Sequence, residues 1–447
     1  MVDTQRLTGK YAFKNCHLLD GRLDEFGEMT VQNGVMVLVD GEYIVDVVPD
    51  GAAPSGYRVI DLQGGWLLPG LINLHAHIAS SGKPPKPNAK PVDYKALFEL
   101  LSGHKLVMKV FLAMEKSAAK NQLLGGVTTL RTVGGVMDHD GIIRDQIACG
   151  QALGPRMLVC NTGVSVPGGH FAGSLATESA SPHQAAQDVF AIAQTNPDWI
   201  KLMITGGVMD ASEEGEPGVL RMPPEVVRAA CDAAHDLGFK VAAHVESPEG
   251  VRVALENGVD TIEHGAKPDQ EILDLFRRRN QEGMCAQVCT ISPALPYAVF
   301  PLEESHAPAI AKKNGAVVME GIIECAKACL AAGIPVGLGT DSGCPFITQY
   351  DMWREVYYFA KYCQVTPGFA LHSATLGNAR ILGMEDRIGS VEPGKLADLI
   401  ACEGNPLEDL TVLRKLRLVM CGGRLVEHPS PKKMRRVEEL LDRYLDV

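Results

Sequence analysis

The sequence predicts an α/β fold, a (βα)8 (TIM) barrel carrying a smaller β domain assembled from both ends of the chain. Three observations predict it. Eight short apolar runs alternate with amphipathic stretches through the middle of the chain, β-like segments flank that middle on both sides, and several runs end at histidine or aspartate. Alternating strands and helical connections are the pattern of βα units around a parallel sheet. In a barrel of such units the active site sits at the C-terminal ends of the strands, so the polar residues that end the runs carry the functional signal.

The flanking β segments come first and last. Residues 10–62 hold alternating runs such as YAFKNCHLLD, GEMTVQNGVMVLVDGEYIVDVV and YRVIDLQG, broken by Gly, Asp and Asn turns, which predicts a small antiparallel β unit. IGSVEPGKLADLIACEG from Ile388 and LRLVMCGGRLVEH from Leu416 are its counterparts at the other end. The expected division is residues 1–65 with 386–447 as one discontinuous β domain, and 66–385 as the barrel. The Gly-Lys of SVEPGKLADLI lacks the spacing of a phosphate loop and reads as a turn before a returning strand.

The barrel runs are WLLPGLINLH, GVTTLRT, RMLVC, WIKLMIT, KVAAHV, VDTIEH, MCAQVCTI and IPVGLGTD, in that order. Between the first two lies SGKPPKPNAKPVDYKALFELLSGHKLVMKV, whose Pro/Lys-rich front is neither regular helix nor central strand. It reads as a loop over the site or as a solvated connection.

A chain of 447 residues accommodates one large and one smaller domain. With 46% apolar and 21% charged residues it belongs to the globular class. A formal charge of −12 argues against nucleic acid or an anionic membrane as partner. There is no run of about 18 apolar residues, and the start, MVDTQRLTGKYAFKN, has no apolar core of a secretion signal, so a cytoplasmic protein is expected. Twelve cysteines without a CxxC pair read as small buried residues in a reducing compartment.

The chemistry begins in LLPGLINLHAHIAS, Leu67 to Ser80, where His75 and His77 stand two residues apart. In a strand that spacing puts both imidazoles on one side, where they can converge on a metal ion; two unrelated histidines at a strand mouth would look the same. Lys201 lies within DWIKLMITGG, His244 ends KVAAHV, His264 ends VDTIEH, and Asp341 follows IPVGLGT. Lys201 is the unusual member. On a strand buried on both faces its ammonium is disfavoured and its pKa falls, which makes a neutral amine accessible. Such an amine can add CO2 to become a carbamate, although a salt-bridged or snorkelling lysine fits the same residue taken alone.

His-x-His after PGLINLH, then IKLMITGG, AAHVES, IEHG and GTDSG, followed by LHSATLGNARILGMEDRIGSVEPGKLADLI, together resemble the amidohydrolase superfamily along nearly the whole chain. The chain is most similar to its prolidase-like branch of imidazolonepropionase-related hydrolases. The resemblance implies a distorted (βα)8 barrel with a β-sandwich-like domain from both termini. It implies one divalent metal on His75, His77 and Asp341, a second on His244 and His264, and a carboxylated Lys201 bridging them. Neutral imidazoles and oxygen donors suit zinc, with manganese, iron or cobalt as substitutes. The expected reaction is amide hydrolysis by a metal-bridging hydroxide, with Asp341 also shuttling the proton to the leaving amine.

The expected substrate is a small molecule, a dipeptide of Xaa-Pro or Xaa-Arg/Lys type or an N-acyl amino acid, and a homo-oligomer is implied. Alternatives are a cyclic-amide hydrolase or deaminase of the same superfamily, or a non-catalytic scaffold. His170 in VPGGHFAG is a candidate substrate contact, as is Arg221 in GVLRMPPE, which could pair with a substrate carboxylate or be a solvated loop arginine. Arg131-Thr132 stands where the branch commonly has Arg-Asp, which leaves the substrate group open. Tyr357 and Tyr358 have helix-interior spacing and read as core. His104, His139, His183, His235, His306, His372 and His428 lack ligand-like context.

Overall fold

The computed structural model describes residues 9–87, 93–208 and 211–445. The first eight residues of the start, and part of the Pro/Lys-rich connection, lie outside the described residues. What is described of that connection's front lacks regular structure, and helices Tyr94–Ser102 and Lys105–Leu124 follow it.

Strands are numbered in chain order. β1 (Gly9–Leu23), β2 (Met29–Gly41), β3 (Tyr43–Pro49) and β4 (Arg58–Pro69) open the chain. The barrel follows with β5 (Leu71–Ala76), β6 (Val127–Thr132), β7 (Arg156–Val159), β8 (Gly163–Ser165), β9 (Ala176–Glu178), β10 (Trp199–Met203), β11 (Lys240–Val245), β12 (Thr261–His264), β13 (Ala286–Cys289) and β14 (Val336–Leu338). β15 (Leu399–Cys402), β16 (Leu416–Cys421) and β17 (Arg424–Glu427) return to the first group. The resulting sheet has the order β17-β16-β15-β4-β1-β2-β3.

This terminal sheet differs from the expected antiparallel unit in one pairing. β1 and β4 run parallel, Tyr11 opposite Arg58 and Leu18 opposite Leu67. Hairpin-like spacing reports local neighbours, whereas β4 crosses over β2 and β3 to reach β1. The strand expected from Ile388 begins only at Leu399, because the preceding residues turn. The two ends of the sheet are also drawn together. Ala397 donates to Glu42 O at 2.8 Å and accepts from Gly423 N at 3.1 Å. Gly423, at φ +73°, packs so closely on the Gly41 carbonyl that a Cβ there would collide with it. The sheet thereby curls around Phe13, Leu18, Val37, Ile44, Leu67, Leu399 and Met420.

The eight expected barrel runs form β5, β6, β7 and β10 to β14, and β5, β6 and β10 are buried along their full length. Burial on both faces is why these strands read as unbroken apolar runs. The parallel sheet is split into two arcs, β5-β6-β7 and β14-β13-β12-β11-β10-β8-β9. At one seam the chain leaves β7 and re-enters as β8, which takes the edge of β10. At the other, Asn378 substitutes for a ladder. Its Nδ2 donates to Ile72 O at 2.7 Å and Leu338 O at 2.9 Å, and its Oδ1 accepts from Leu338 N at 2.9 Å. Gly339 lets the strands close there, since a Cβ would lie 2.4 Å from that of His75.

The C-terminal helix Arg435–Asp442 packs into the main core and not into the cluster enclosed by the curled sheet. Val437, Leu440 and Leu441 join the core that contains Trp353, and Asp442 pairs with Arg354 at 2.5 Å and Arg414 at 2.7 Å. Tyr357 bonds Leu445 O and Tyr358 is buried, as core residues of helix Met352–Cys363.

Candidate metal centre

His75, His77, Lys201, His244, His264 and Asp341 line one pocket, together with His170. β5 carries His75, and His77 follows its last residue, Ala76. The His75 carbonyl accepts from Thr340 N at 3.1 Å and Asp341 N at 2.8 Å, which sets Asp341 beside the His-x-His pair. His75 Nε2 and His77 Nε2 lie 3.5 and 3.3 Å from Asp341 Oδ1.

The second nitrogen of each ring is already committed. His75 Nδ1 donates to Glu263 Oε2 at 2.7 Å, His77 Nδ1 to Gly134 O at 2.8 Å, and His244 Nε2 to Gly206 O at 2.8 Å. His264 Nδ1 meets Thr290 Oγ1 at 2.7 Å. The carboxylate and carbonyl partners fix the tautomers of His75, His77 and His244 and leave the opposite nitrogen of each as a lone pair. The lone pairs of His75 and His77 therefore face Asp341 Oδ1, a buried oxygen that accepts no hydrogen bond from the described residues. Three electron-rich atoms turned on one another repel unless a cation lies among them, so the donor set fits a divalent metal.

His75, His77 and Asp341 form one such group, and His244, Glu246 and His264 a second; within each, the candidate ligand atoms lie within 4.8 Å of one another. The His75 and His264 rings, 4.8 Å apart, join the two groups. Burial holds the imidazoles neutral, His75 and His244 well below the ordinary histidine range and His264 down to about 3. Lys201 is 1% exposed in the middle of β10, and burial lowers its pKa against the opposing pull of Glu263 and Asp341.

Backbone geometry completes the convergence. A regular strand would point Glu263 and His264 to opposite faces. His264 instead has φ +69°, and both side chains reach His75. Asp341, at φ +53°, and the pocket residue Phe171, at +52°, share this left-handed conformation. Strain of this kind concentrates where a site is held against the local preference of the chain.

His170 stacks on His244 with ring centres 4.3 Å apart and planes 20° from parallel. Gly207 makes room for it, because a Cβ there would lie 2.5 Å from the ring. Arg221, the other candidate substrate contact, is not brought into the pocket. Its Nη2 pairs with Glu216 Oε1 at 2.6 Å, within a turn where Glu216 also accepts from Ser212 N. His139 and His372 are buried against Glu115 and Gly21 O, and His235 pairs with Asp260. His104, His183 and His428 are exposed, and His306 is half-buried.

Sequence reasoning missed Glu246, Glu263 and Arg131. Glu246 follows His244 by two residues, so the alternation that singled out His75 and His77 would have found it. The apolar wall of the pocket, Phe171, Met203, Val208, Ala294, Val318 and Ile322, comes from scattered segments and had no such signal.

Residues 66–426 match the family model of the Amidohydrolase family. Among solved structures, a putative prolidase from Bifidobacterium longum is 34% identical, with 98% of this chain and 99% of that one covered and a TM-score of 0.84. A Xaa-Pro dipeptidase with methionine bound in its active site is 28% identical, over 94% of this chain and 100% of the other, at 0.78. Ochratoxinase from Aspergillus niger is 25% identical over 52% of this chain, and the matched region spans only 46% of that enzyme. Imidazolonepropionase from Pseudomonas paraeruginosa is 24% identical over 88% of this chain and 92% of its own. A seamed parallel barrel, a terminal sheet and two converging His/carboxylate groups thus accompany a match that runs through barrel and sheet alike, and the chain belongs to the amidohydrolase family.

Proposed function

We propose that this chain hydrolyses the amide bond of a dipeptide or N-acyl amino acid with two divalent cations, zinc foremost. One observation carries the reading: two ligand groups and a buried, neutralisable lysine line a single pocket. When bound, two such ions lower the pKa of a shared water and polarise the scissile carbonyl.

The rest of the chemistry belongs to the chain. Lys201, as the neutral amine, adds CO2: its nitrogen bonds the carbon, a proton leaves, and a carboxylate on a long arm results. Asp341, facing His77 Nε2 at 3.3 Å, takes the proton of the attacking water and returns it to the leaving nitrogen. His170, stacked beside His244, is placed to orient the substrate.

The pocket's carbon wall favours an apolar side chain, which supports Xaa-Pro over Xaa-Arg/Lys substrates, and the methionine in the related Xaa-Pro dipeptidase fits the same preference. A cytoplasmic homo-oligomer completes the reading. Mostly buried cysteines support the compartment, and Leu97, Leu100, Leu106, Val110 and Met114, exposed on two consecutive helices, support the association.

The test is a library of Xaa-Pro, Xaa-Arg/Lys and N-acyl amino acids offered to protein reloaded with Zn2+ or Mn2+. Release of two amino acids, fastest for apolar Xaa-Pro substrates, is expected. Inert amides alongside turnover of lactones or cyclic imides would reject the reading. A Lys201→Ala variant with wild-type metal content and activity would remove the carbamate from it.

A further inference from the structure

The His75/His77 group is closed by Asp341, whereas the resemblance assigns the second ion only two histidines and a modified lysine. The chain itself provides another carboxylate there. We propose that Glu246 is the third protein ligand of the cation held by His244 and His264, so that this ion is retained before Lys201 reacts with CO2. The inference rests on the binuclear reading above.

Three observations support it. First, His244 and Glu246 flank Val245 at the end of β11, and side chains two apart on an extended chain point the same way. Glu246 N donates to Thr205 Oγ1 at 3.1 Å, which anchors the backbone as it leaves the strand. Second, candidate ligand atoms of His244, Glu246 and His264 lie within 4.8 Å of one another. Ligands about 2.1 Å from a shared tetrahedral ion stand about 3.4 Å apart, so atoms at the outer limit must close by about 1.4 Å, within reach of a rotamer adjustment of the Glu246 side chain, to form the shell. Third, His244 is 4% exposed and His264 3%, and each has its outer nitrogen engaged by Gly206 O or Thr290. The other nitrogen of each ring is the one left to bind a metal.

Charge gives the arrangement its consequence. Two neutral imidazoles leave a divalent ion uncompensated in a buried site, and a carboxylate offsets part of that charge. With Glu246 in place the second ion needs no carbamate to bind. Modification of Lys201 then bridges two ions that are already seated.

The experiment uses the full chain stripped by chelator and titrated with Zn2+ against a chromophoric competitor in bicarbonate-depleted buffer. Co2+ absorption spectra report the coordination of each ion. The wild type is expected to take two ions, Lys201→Ala to keep both, and Glu246→Gln to hold one as before and the other at least tenfold more weakly, with a changed Co2+ spectrum. Glu246→Asp should recover part of the affinity, and thermal melting of the metal-free proteins confirms that each is folded. Unchanged binding of both ions by folded Glu246→Gln overturns the proposal while leaving the binuclear reading standing. A wild type that takes one ion in this buffer and the second only when bicarbonate is restored overturns the proposal and leaves the binuclear reading standing; a wild type that takes only one ion in either buffer overturns both.

Discussion

Glu263 ties His75 to Arg131: its Oε2 accepts from His75 Nδ1 at 2.7 Å and its Oε1 from Arg131 Nη2 at 2.7 Å, with all three side chains at most 1% exposed. Arg131 is itself held by Leu74 O at 2.7 Å and lies 4.5 Å over the Trp199 ring. The arginine thus fixes the carboxylate, the carboxylate fixes the tautomer of His75, and Nε2 is turned to Asp341. An imidazole partnered by an anion is also a stronger donor to a metal than one partnered by a carbonyl.

Glu263→Gln should weaken divalent-metal binding by about 10–100-fold, the usual effect of removing such a partner, as read by chelator competition. Glu263→Ala leaves Arg131 buried without its anion and should cost about 3–5 kcal/mol in urea unfolding of the metal-free protein. A loss below about 1 kcal/mol would mean that the buried pair has no structural weight.

Arg221→Ala should leave kcat and KM for substrates with a free carboxylate within about twofold of wild type, because Glu216 already occupies the guanidinium at 2.6 Å on a half-exposed turn. Pairs of that exposure contribute about 0–1 kcal/mol, so stability should move little as well. A tenfold rise in KM confined to carboxylate-bearing substrates would place Arg221 at the substrate after all.

Asn378→Ala should destabilise the barrel by about 2–4 kcal/mol in urea unfolding, because three hydrogen bonds across the β5/β14 seam disappear and buried carbonyls lose their donors. Asn378→Asp keeps the acceptor for Leu338 N but turns an anion on the carbonyls of Ile72 and Leu338, so it should be worse than alanine. The opposite ranking would show that the amide donors are dispensable.

The barrel strands were legible because burial on both faces leaves apolar runs that stop abruptly on a polar residue, and His75, His77, His244, His264 and Asp341 all stand at such stops. Lys201 was legible for the opposite reason, a charge inside an apolar run. Arg131 and Glu263 are also charges within runs, but their meaning depends on a partner 132 residues away. The parallel pairing of β1 with β4 is likewise non-local, since alternation within a strand says which face is buried and nothing about its neighbour. Arg221 fits either a substrate carboxylate or solvent from sequence, and neither reading names its partner five residues back, because a turn that brings Glu216 beside it has no periodic signature.

Asp140 makes a pH-dependent prediction outside the metal centre. It lies 1% exposed in the first turn of helix His139–Ala148, near the Glu115–His139 pair. Burial pushes its carboxyl up to about 7; Glu115 adds to the rise, while the Thr132 hydroxyl and His139 oppose it. The folded state therefore binds a proton that the unfolded state has released once pH exceeds about 4. Stability from this group is complete below that point, falls as pH rises, and is lost above about 7, a change of at most about 4 kcal/mol. Asn at this position is uncharged at every pH, so Asp140→Asn should gain on wild type between pH 4.5 and 8, the difference in urea midpoint widening through that window. Taking the difference between the two proteins cancels the titration of every shared group that is not coupled to Asp140. A difference independent of pH would show that Asp140 is ionised in the folded protein throughout, held by its neighbours against the cost of its burial.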